Sequence, residues 1–398
     1  MNIYNKILLY IYMFLFVAMS GNPFFSFTSE LSKYIFIGIV LLLVLRHRKY
    51  FSLNEGIIYY IFLIFYVSIF VFQKIVLGFV SFPSTIAFLA RITLGYIVIR
   101  YIGVNFKLAY FHIIYFVSFI SLFGYLWNFF GQDVPPIYFT ESTNLYHDNS
   151  GRNIIFFQQK GEGSRNSGMF WEPGAFACYI CLSFLLYLGN IKMLIKEHLF
   201  KVLIVLLALI TTYSTTGYIV LFIIGIATIY IEYSQKYGAF VLPILGSFAI
   251  LGYITYESTD FLKDKIDHQF QNATDREEGE FGPDRLSALF FDIHYISKHP
   301  LIGNGFHSQT RYADHPELQK EDLGHGNGFS DFLASMGILS LLFYSFFLIK
   351  YNKTNPVVFL FAILILLQGE PLLNYPLFLS LPFIFIYDIY NRRIINLS

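Results

Sequence analysis

Charge is what this sequence has least of. Only 13% of its 398 residues are Asp, Glu, Lys or Arg, against about 25% in soluble domains. That deficit excludes a chain whose whole surface faces water. The 27 basic and 26 acidic residues nearly cancel, to a net charge of +1, and no dense basic patch exists. Nucleic acid is therefore excluded as a partner. Cysteine is also scarce. Cys178 and Cys181 lie inside an apolar run, so no disulfide framework is implied. Their C-x-x-C spacing lacks the soluble context that redox chemistry needs; at i and i+3 they share one helix face and read as packing residues. There is no G-x-S-x-G, no H-E-x-x-H, no phosphate loop with its lysine and no zinc-type cysteine pattern. Neither metal nor cofactor is expected, and no internal repeat stands out.

Apolar and aromatic side chains fill the space left by charge, at 56% and 20% of the chain, with 47 Phe and 31 Tyr. They cluster near residues 4–20, 31–45, 56–73, 82–101, 108–130, 174–191, 201–214, 216–233, 239–256, 329–349, 355–369 and 374–390. This pattern predicts an all-α, polytopic membrane helix bundle of about twelve spanning helices, the shorter ones extending into polar flanks. The first run lacks a small-residue cleavage site and is read as a spanning helix rather than a signal peptide. The sequence TTYSTTG, from Thr211 to Gly217, is either a tight turn between two helices or a hydroxyl-rich break in one long helical region.

Lys and Arg orient the bundle. With the N-terminus inside, cytoplasmic connections hold 14 of the 27 basic residues, while the short outer connections hold only Lys33 and Lys74. The positive-inside bias then places both ends in the cytoplasm. Residues 131–173 and 257–328 become two long extracytoplasmic loops, inserts in one integral membrane domain spanning 1–398.

Candidate chemistry lies where these loops meet the membrane. The first ends in RNSGMFWEPGAF. Its Arg165 has a planar fork suited to phosphate oxygens, or simply anchors at the headgroups. Glu172 precedes Pro173, which is suited to a first helical position; its carboxylate either favours a helix N-terminus or serves as a base. In the second loop, Glu277, Glu278 and Glu280 form a solvated acidic stretch. Next, Leu286, Leu289, Phe290 and Ile293 fall at i, i+3, i+4 and i+7 after Arg285. They predict a short amphipathic helix lying on the bilayer or on the bundle, with His294 packing beside the stripe. Gly303 and Gly305 permit a tight backbone path with exposed amides. His325 and Asn327 stand just before a spanning run, and an imidazole there is a candidate general base. Arg91 falls inside a span, at a cost of about 2.5–3.5 kcal/mol on insertion scales. It either faces a polar cavity or partner, Glu370 being one conceivable partner, or snorkels.

Taken together, these residues resemble the bacterial O-antigen polymerase and O-antigen ligase superfamily, in three segments. Arg165-x-x-Gly168-x-Phe170-x-Glu172-Pro173 is similar to the family's arginine-to-proline segment. Arg285 followed by Pro300-Leu301-Ile302-Gly303-Asn304-Gly305 is similar to its arginine and P-L-x-G-x-G. His325-Gly326-Asn327 with Gly337 resembles its histidine–asparagine segment, although Gly326 here separates two residues that the family commonly has adjacent. The resemblance covers roughly residues 165–340 and implies a glycosyltransferase C-like membrane fold. It also implies glycosyl transfer outside the cytoplasm from an undecaprenyl-pyrophosphate-linked glycan, in contact with membrane lipid. Arg165 and Arg285, with Arg91 and Arg311 behind them, would hold the pyrophosphate. His325, or Glu172 behind it, would take the acceptor's proton, and Gly303, Gly305 and Asn327 would position loop and glycan. The expected activity is repeat-unit polymerisation into O antigen or capsule, alongside a flippase and a chain-length regulator. Ligation to lipid A core is the nearest alternative, and a lipid-linked oligosaccharide flippase the alternative from another class.

Overall fold

The computed structural model describes residues 3–25, 30–129, 165–231, 285–315, 318 and 326–387. All regular structure among them is helical. In chain order the helices are α1 (Ile3–Met19), α2 (Glu30–Arg46), α3 (Leu53–Leu77), α4 (Phe82–Ile102), α5 (Phe106–Phe129), α6 (Pro173–Leu185) and α7 (Ile191–Thr211). Then come α8 (Thr215–Ile231), α9 (Arg285–Lys298), α10 (Ser308–Arg311), α11 (Gly328–Tyr351), α12 (Pro356–Gly369) and α13 (Pro376–Leu379), with a further helix over 381–387. Three segments have the length and apolarity to cross a membrane: Gly56–Leu77, Phe82–Leu126 (α4 and α5 together) and Gly328–Tyr351. Shorter apolar helices accompany them. The expected span at 239–256 and most of both expected loops lie outside the described residues.

Helix α6 is the axis of the bundle. All of its residues are buried, and it packs against α5, α7 and α12. Cys178 and Cys181 are free and buried on it, in keeping with a packing role. Aromatic rings join α3 to α11: Phe65 stacks on Phe343 at 3.8 Å, and Phe62 meets Phe343 and Phe347 edge-on. Such pairs add about 0.5–1.5 kcal/mol beyond their area. The perimeter is equally apolar, with Leu42, Leu45, Ile64, Ile75 and Leu342 exposed. Helices apolar on both inner and outer faces belong in lipid.

The run TTYSTTG resolves into a tight turn. Helix α7 ends at Thr211, Tyr213 takes a positive φ of 49°, and α8 begins at Thr215. Helix α7 also starts earlier than its apolar run and breaks its helical geometry at His198. The last apolar run, expected as one helix over 374–390, instead begins with a 3-10 turn over Leu372–Asn374 and the short α13. Its backbone approaches α4 so closely that a Cβ on Gly95 would lie 3.1 Å from the Pro376 carbonyl oxygen.

Helix α9 forms where the spacing predicts it, and of the two expected arrangements the apolar stripe is not the face that meets the bundle. Ser287, Ala288, Phe291, Asp292 and Tyr295 are buried against α11, while Phe290 and Ile293 are exposed. The reason is Asp292, whose carboxylate takes the buried Arg311 guanidinium and the Ser330 hydroxyl. A buried charge must be paired, and that pairing fixes the inward face. His294 is likewise exposed and bonds Asp314 rather than packing inward.

The segment 300–305 inserts into a break in α11. Gly337 has φ 72° and ψ 171°. Around it, Ile338 and Leu339 donate to the carbonyls of Pro300 and Leu301, and Asn304 and Gly305 donate back to Ala334 and Ser335. Gln73 of α3 donates to Ile302 and Ser335 carbonyls at 2.6 and 2.9 Å. The amides of Gly303 and Gly305, expected to be exposed, are thus committed to backbone partners. A Cβ on Gly337 would collide with the Leu301 carbonyl, in a region of backbone space that is essentially glycine-only and costs about 1–3 kcal/mol. Gly337→Ala is therefore expected to lower the thermal midpoint clearly in detergent. Gly38→Ala, with nothing within 4 Å, is expected to leave it near the wild-type value.

Candidate functional site

Several of the expected residues converge at one end of α6. Glu172 is the residue before its first turn, with extended backbone (φ −154°, ψ 164°) and no side-chain cap bond. Its carboxylate is therefore not used on the helix amides. Pro173 supplies the first helical position without wasting a donor. Gly174 follows, and a Cβ there would lie 2.5 Å from Glu370 Oε1, 3.1 Å from Glu172 Oε1 and 3.5 Å from Arg285 Nη2. The absence of a side chain at Gly174 is what lets two carboxyls and a guanidinium meet.

Glu370 closes α12 with extended backbone and is only 2% exposed. Trp171 Nε1 donates to its Oε2 at 3.0 Å, and Arg285 Nη2 lies 4.0 Å from its Oε1. Burial pushes the Glu370 carboxyl well above the usual carboxylate range, and the neighbouring Glu172 raises it further, partly offset by Arg285 and Trp171. The C-terminal end of α12, where helix carbonyls converge, also disfavours negative charge.

Arg285 begins α9. Its Nη1 donates to the Thr216 hydroxyl at 3.1 Å, and its carbonyl accepts from Asn327 Nδ2 at 3.4 Å. Asn327 caps α11 by accepting from the Phe329 and Ser330 amides, both at 3.1 Å. Its amide nitrogen also reaches Gln368 Oε1 at 3.0 Å. Asn327 therefore ties the starts of α9 and α11 to the end of α12. The turn at 212–216 serves a second arginine: Arg165 donates to the carbonyls of Thr212 and Tyr213 at 3.1 and 3.3 Å. One turn thus anchors both Arg165 and Arg285, and Tyr213, with its positive φ, supplies one of the carbonyls that hold Arg165.

Arg91, half-buried midway along α4, interacts electrostatically with the Tyr375 phenol. Tyr375 stacks on Trp171 at 4.7 Å, so Arg91 stands along the same aromatic wall that ends at Glu370. Among the described residues no ion pair joins Arg91 to Glu370, whose cationic neighbour is Arg285.

Arg311 is placed elsewhere. It is 2% exposed, ion-paired with Asp292 and 3.5 Å from Asp331, and lies over the Tyr295 and Tyr312 rings. Burial alone would lower its basicity, but Asp292, Tyr312 and Asp331 together raise it. This geometry commits its guanidinium to carboxylates within the fold. Gly303 and Gly305 sit with the brace at Gly337. His325 lies outside the described residues, two positions before Asn327.

Sequence reasoning missed Trp171, Gly174, Thr216 and, as a site residue in its own right, Glu370. A signal existed: Glu-Pro occurs twice next to glycine, in WEPG and in GEPL, each where an apolar run begins or ends.

A bundle of helices this apolar, three of its segments long enough to cross a membrane, defines an integral membrane protein. Residues 200–345 match the family described as O-antigen ligase, which supports the resemblance to the O-antigen polymerase and ligase superfamily. The match contains Thr216, Arg285, Asn327 and Gly337, whereas Arg91, Arg165, Glu172 and Glu370 lie outside it. It indicates a function of O-antigen ligase or polymerase type, glycosyl transfer in the broad sense, with a lipid-linked glycan as the implied substrate. No curated protein and no solved structure matches the chain.

Proposed function

We propose that this protein joins oligosaccharide repeat units carried on undecaprenyl pyrophosphate into surface polysaccharide, at the outer side of the cytoplasmic membrane. The observation that carries this reading is the meeting of Arg285, Glu172 and Glu370 over Gly174, on a turn that also anchors Arg165. Glycosyl transfer from a lipid pyrophosphate generates an anionic leaving group and consumes a hydroxyl proton. Cations and carboxylates fixed in one place answer both needs.

In this scheme the glycan's anomeric carbon loses its bond to the pyrophosphate oxygen, which keeps the electron pair. The acceptor hydroxyl forms the new bond and gives up its proton. A guanidinium carries five N–H donors; the Thr216 bond and the Glu370 contact leave Arg285 with donors for phosphate oxygens. Arg165 stands on the other side of the turn, and Arg91 further along the aromatic wall. Trp171 and Tyr375, both half-buried, offer ring faces to sugars. His325 or Glu172 takes the proton. Because the leaving group is already a good one, the scheme needs no nucleotide sugar.

The 14-to-2 asymmetry of basic residues supports cytoplasmic termini and an outer position for this end of the bundle, with 131–173 and 257–328 as extracytoplasmic loops. A flippase that delivers the lipid-linked units and a chain-length regulator are the expected partners. The polymerase reading is preferred to ligation onto lipid A core because the chain is rich in Phe and Tyr. Cells that lack the core acceptor decide between them. Long carrier-linked chains in such cells, lost when the gene is deleted, are the expected result; product found only on lipid A core would replace polymerase by ligase.

A further inference from the structure

The Glu172–Glu370 contact offers more than a counter-charge for Arg285. Two carboxylates this close cannot both ionise readily, so the pair favours a single shared proton. Glu370 Oε1, almost wholly buried, meets no N–H or hydroxyl donor at hydrogen-bond distance among the described residues, and the group it faces is the Glu172 carboxyl. That oxygen is the atom turned toward Glu172 and Arg285 over Gly174. An orphaned carboxylate oxygen in that position is explained by a proton held between the two acids. With one proton the pair carries one negative charge, which the Arg285 cation balances.

We propose that Glu172 and Glu370 work as a one-proton carboxyl pair, in which Glu172 accepts the proton of the attacking hydroxyl and Glu370 keeps the other. This rests on the glycosyl-transfer reading above and assigns Glu370 a role in it. Glu172 is half-buried and Glu370 buried, so Glu172 is the member that can touch substrate. When the acceptor O–H bond breaks, its proton goes to the Glu172 carboxylate and the oxygen's electron pair forms the new glycosidic bond. The anomeric carbon's bond to the carrier breaks, and that pair stays on the pyrophosphate. The carboxyl pair is then neutral, and Arg285 loses its local counter-charge as the pyrophosphate gains charge. Release of one proton to water resets the pair. Facing it are Arg285 from α9, Trp171 from the segment before α6, and Cys178 and Tyr179 from α6 itself.

Two measurements on the full-length protein in detergent or liposomes test this separately. The first is the thermal midpoint against pH, which needs no assumption about the reaction. A carboxyl held protonated in the folded state binds more protons there than in the unfolded chain, so stability must fall as pH rises above the ordinary carboxylate range. The wild type is expected to show that fall, Glu370→Gln to flatten it, and Glu172→Gln to narrow the pH range over which it occurs, because burial of Glu370 remains. Variants that follow the wild-type curve at every pH would overturn the shared proton. The second is the pH–rate profile of repeat-unit transfer. Glu172→Gln is expected to lose about 10²–10⁴-fold. Glu370→Gln is expected to keep measurable transfer but lose the alkaline limb, because glutamine cannot ionise. Full activity in Glu172→Gln, or an unchanged alkaline limb in Glu370→Gln, would overturn the proton-transfer role. A fall in the wild type that Glu370→Gln flattens, in a wild-type protein that does not act on lipid-linked units, would instead sink the glycosyl-transfer reading alone.

Discussion

Arg285→Ala is expected to reduce repeat-unit transfer by roughly 10²–10³-fold, the usual cost of removing one group that stabilises developing negative charge. The effect should fall on kcat more than on KM, because the charge on the departing oxygen grows only as the bond breaks. Arg285→Lys should rescue little. The guanidinium reaches Thr216 with one nitrogen and approaches Glu370 with another; a lysine presents a single point charge and cannot span both. The variant should still insert and fold, since Arg285 is partly exposed (28%) and Asn327 reaches its backbone carbonyl rather than its side chain. A purified Arg285→Ala protein with wild-type kcat would remove Arg285 from the mechanism.

Arg311→Ala should fail in a different way. It leaves Asp292, with no measurable exposure, without its cation, and breaking one side of a buried pair costs about 3–5 kcal/mol. That is a large share of the ~5–15 kcal/mol by which folded proteins are usually stable. The expected outcome is loss of folded protein, read as reduced yield and early elution or aggregation in size-exclusion chromatography. Whatever folds should keep its specific activity. The partial remedy follows from the same geometry: Arg311→Met combined with Asp292→Leu removes both buried charges and should recover part of the yield. A soluble, stable Arg311→Ala protein with low kcat would show that Arg311 serves the substrate after all.

The two arginines separate because of their surroundings, and those surroundings were only partly legible in the sequence. Apolar runs placed the helices well: the run near 82–101 is α4, the run near 329–349 is α11, and the run near 355–369 is α12. Long periodic or continuous apolar segments carry that information locally. The inward face of α9 was not legible, because it is decided by an ion pair between Asp292 and a residue 19 positions later. The same holds for the brace at Gly337, whose partners arrive from residues 300–305 and from Gln73. Glycines at 303 and 305 were visible as unusual backbone, but not that their amides would be consumed by a broken helix.

The site divides along the same line. Arg165, Glu172, Arg285 and Asn327 were recognisable as polar residues at the ends of apolar runs. Glu370 was visible only as a possible counter-ion for Arg91. Its meeting with Glu172, 198 residues earlier in the chain, depends on α6 and α12 packing side by side and on Gly174 leaving room between them. Its place at the end of an apolar run was the signal, since an ionisable group there with no nearby partner in sequence must find one in space.

The most direct test of the account uses the purified protein in liposomes with a single lipid-linked repeat unit as both donor and acceptor. The account predicts ladders of lengthening glycan, each added unit releasing one polyprenyl pyrophosphate. Intact units moved across the bilayer without any change in length or release of pyrophosphate would contradict it, and would make the protein a transporter instead.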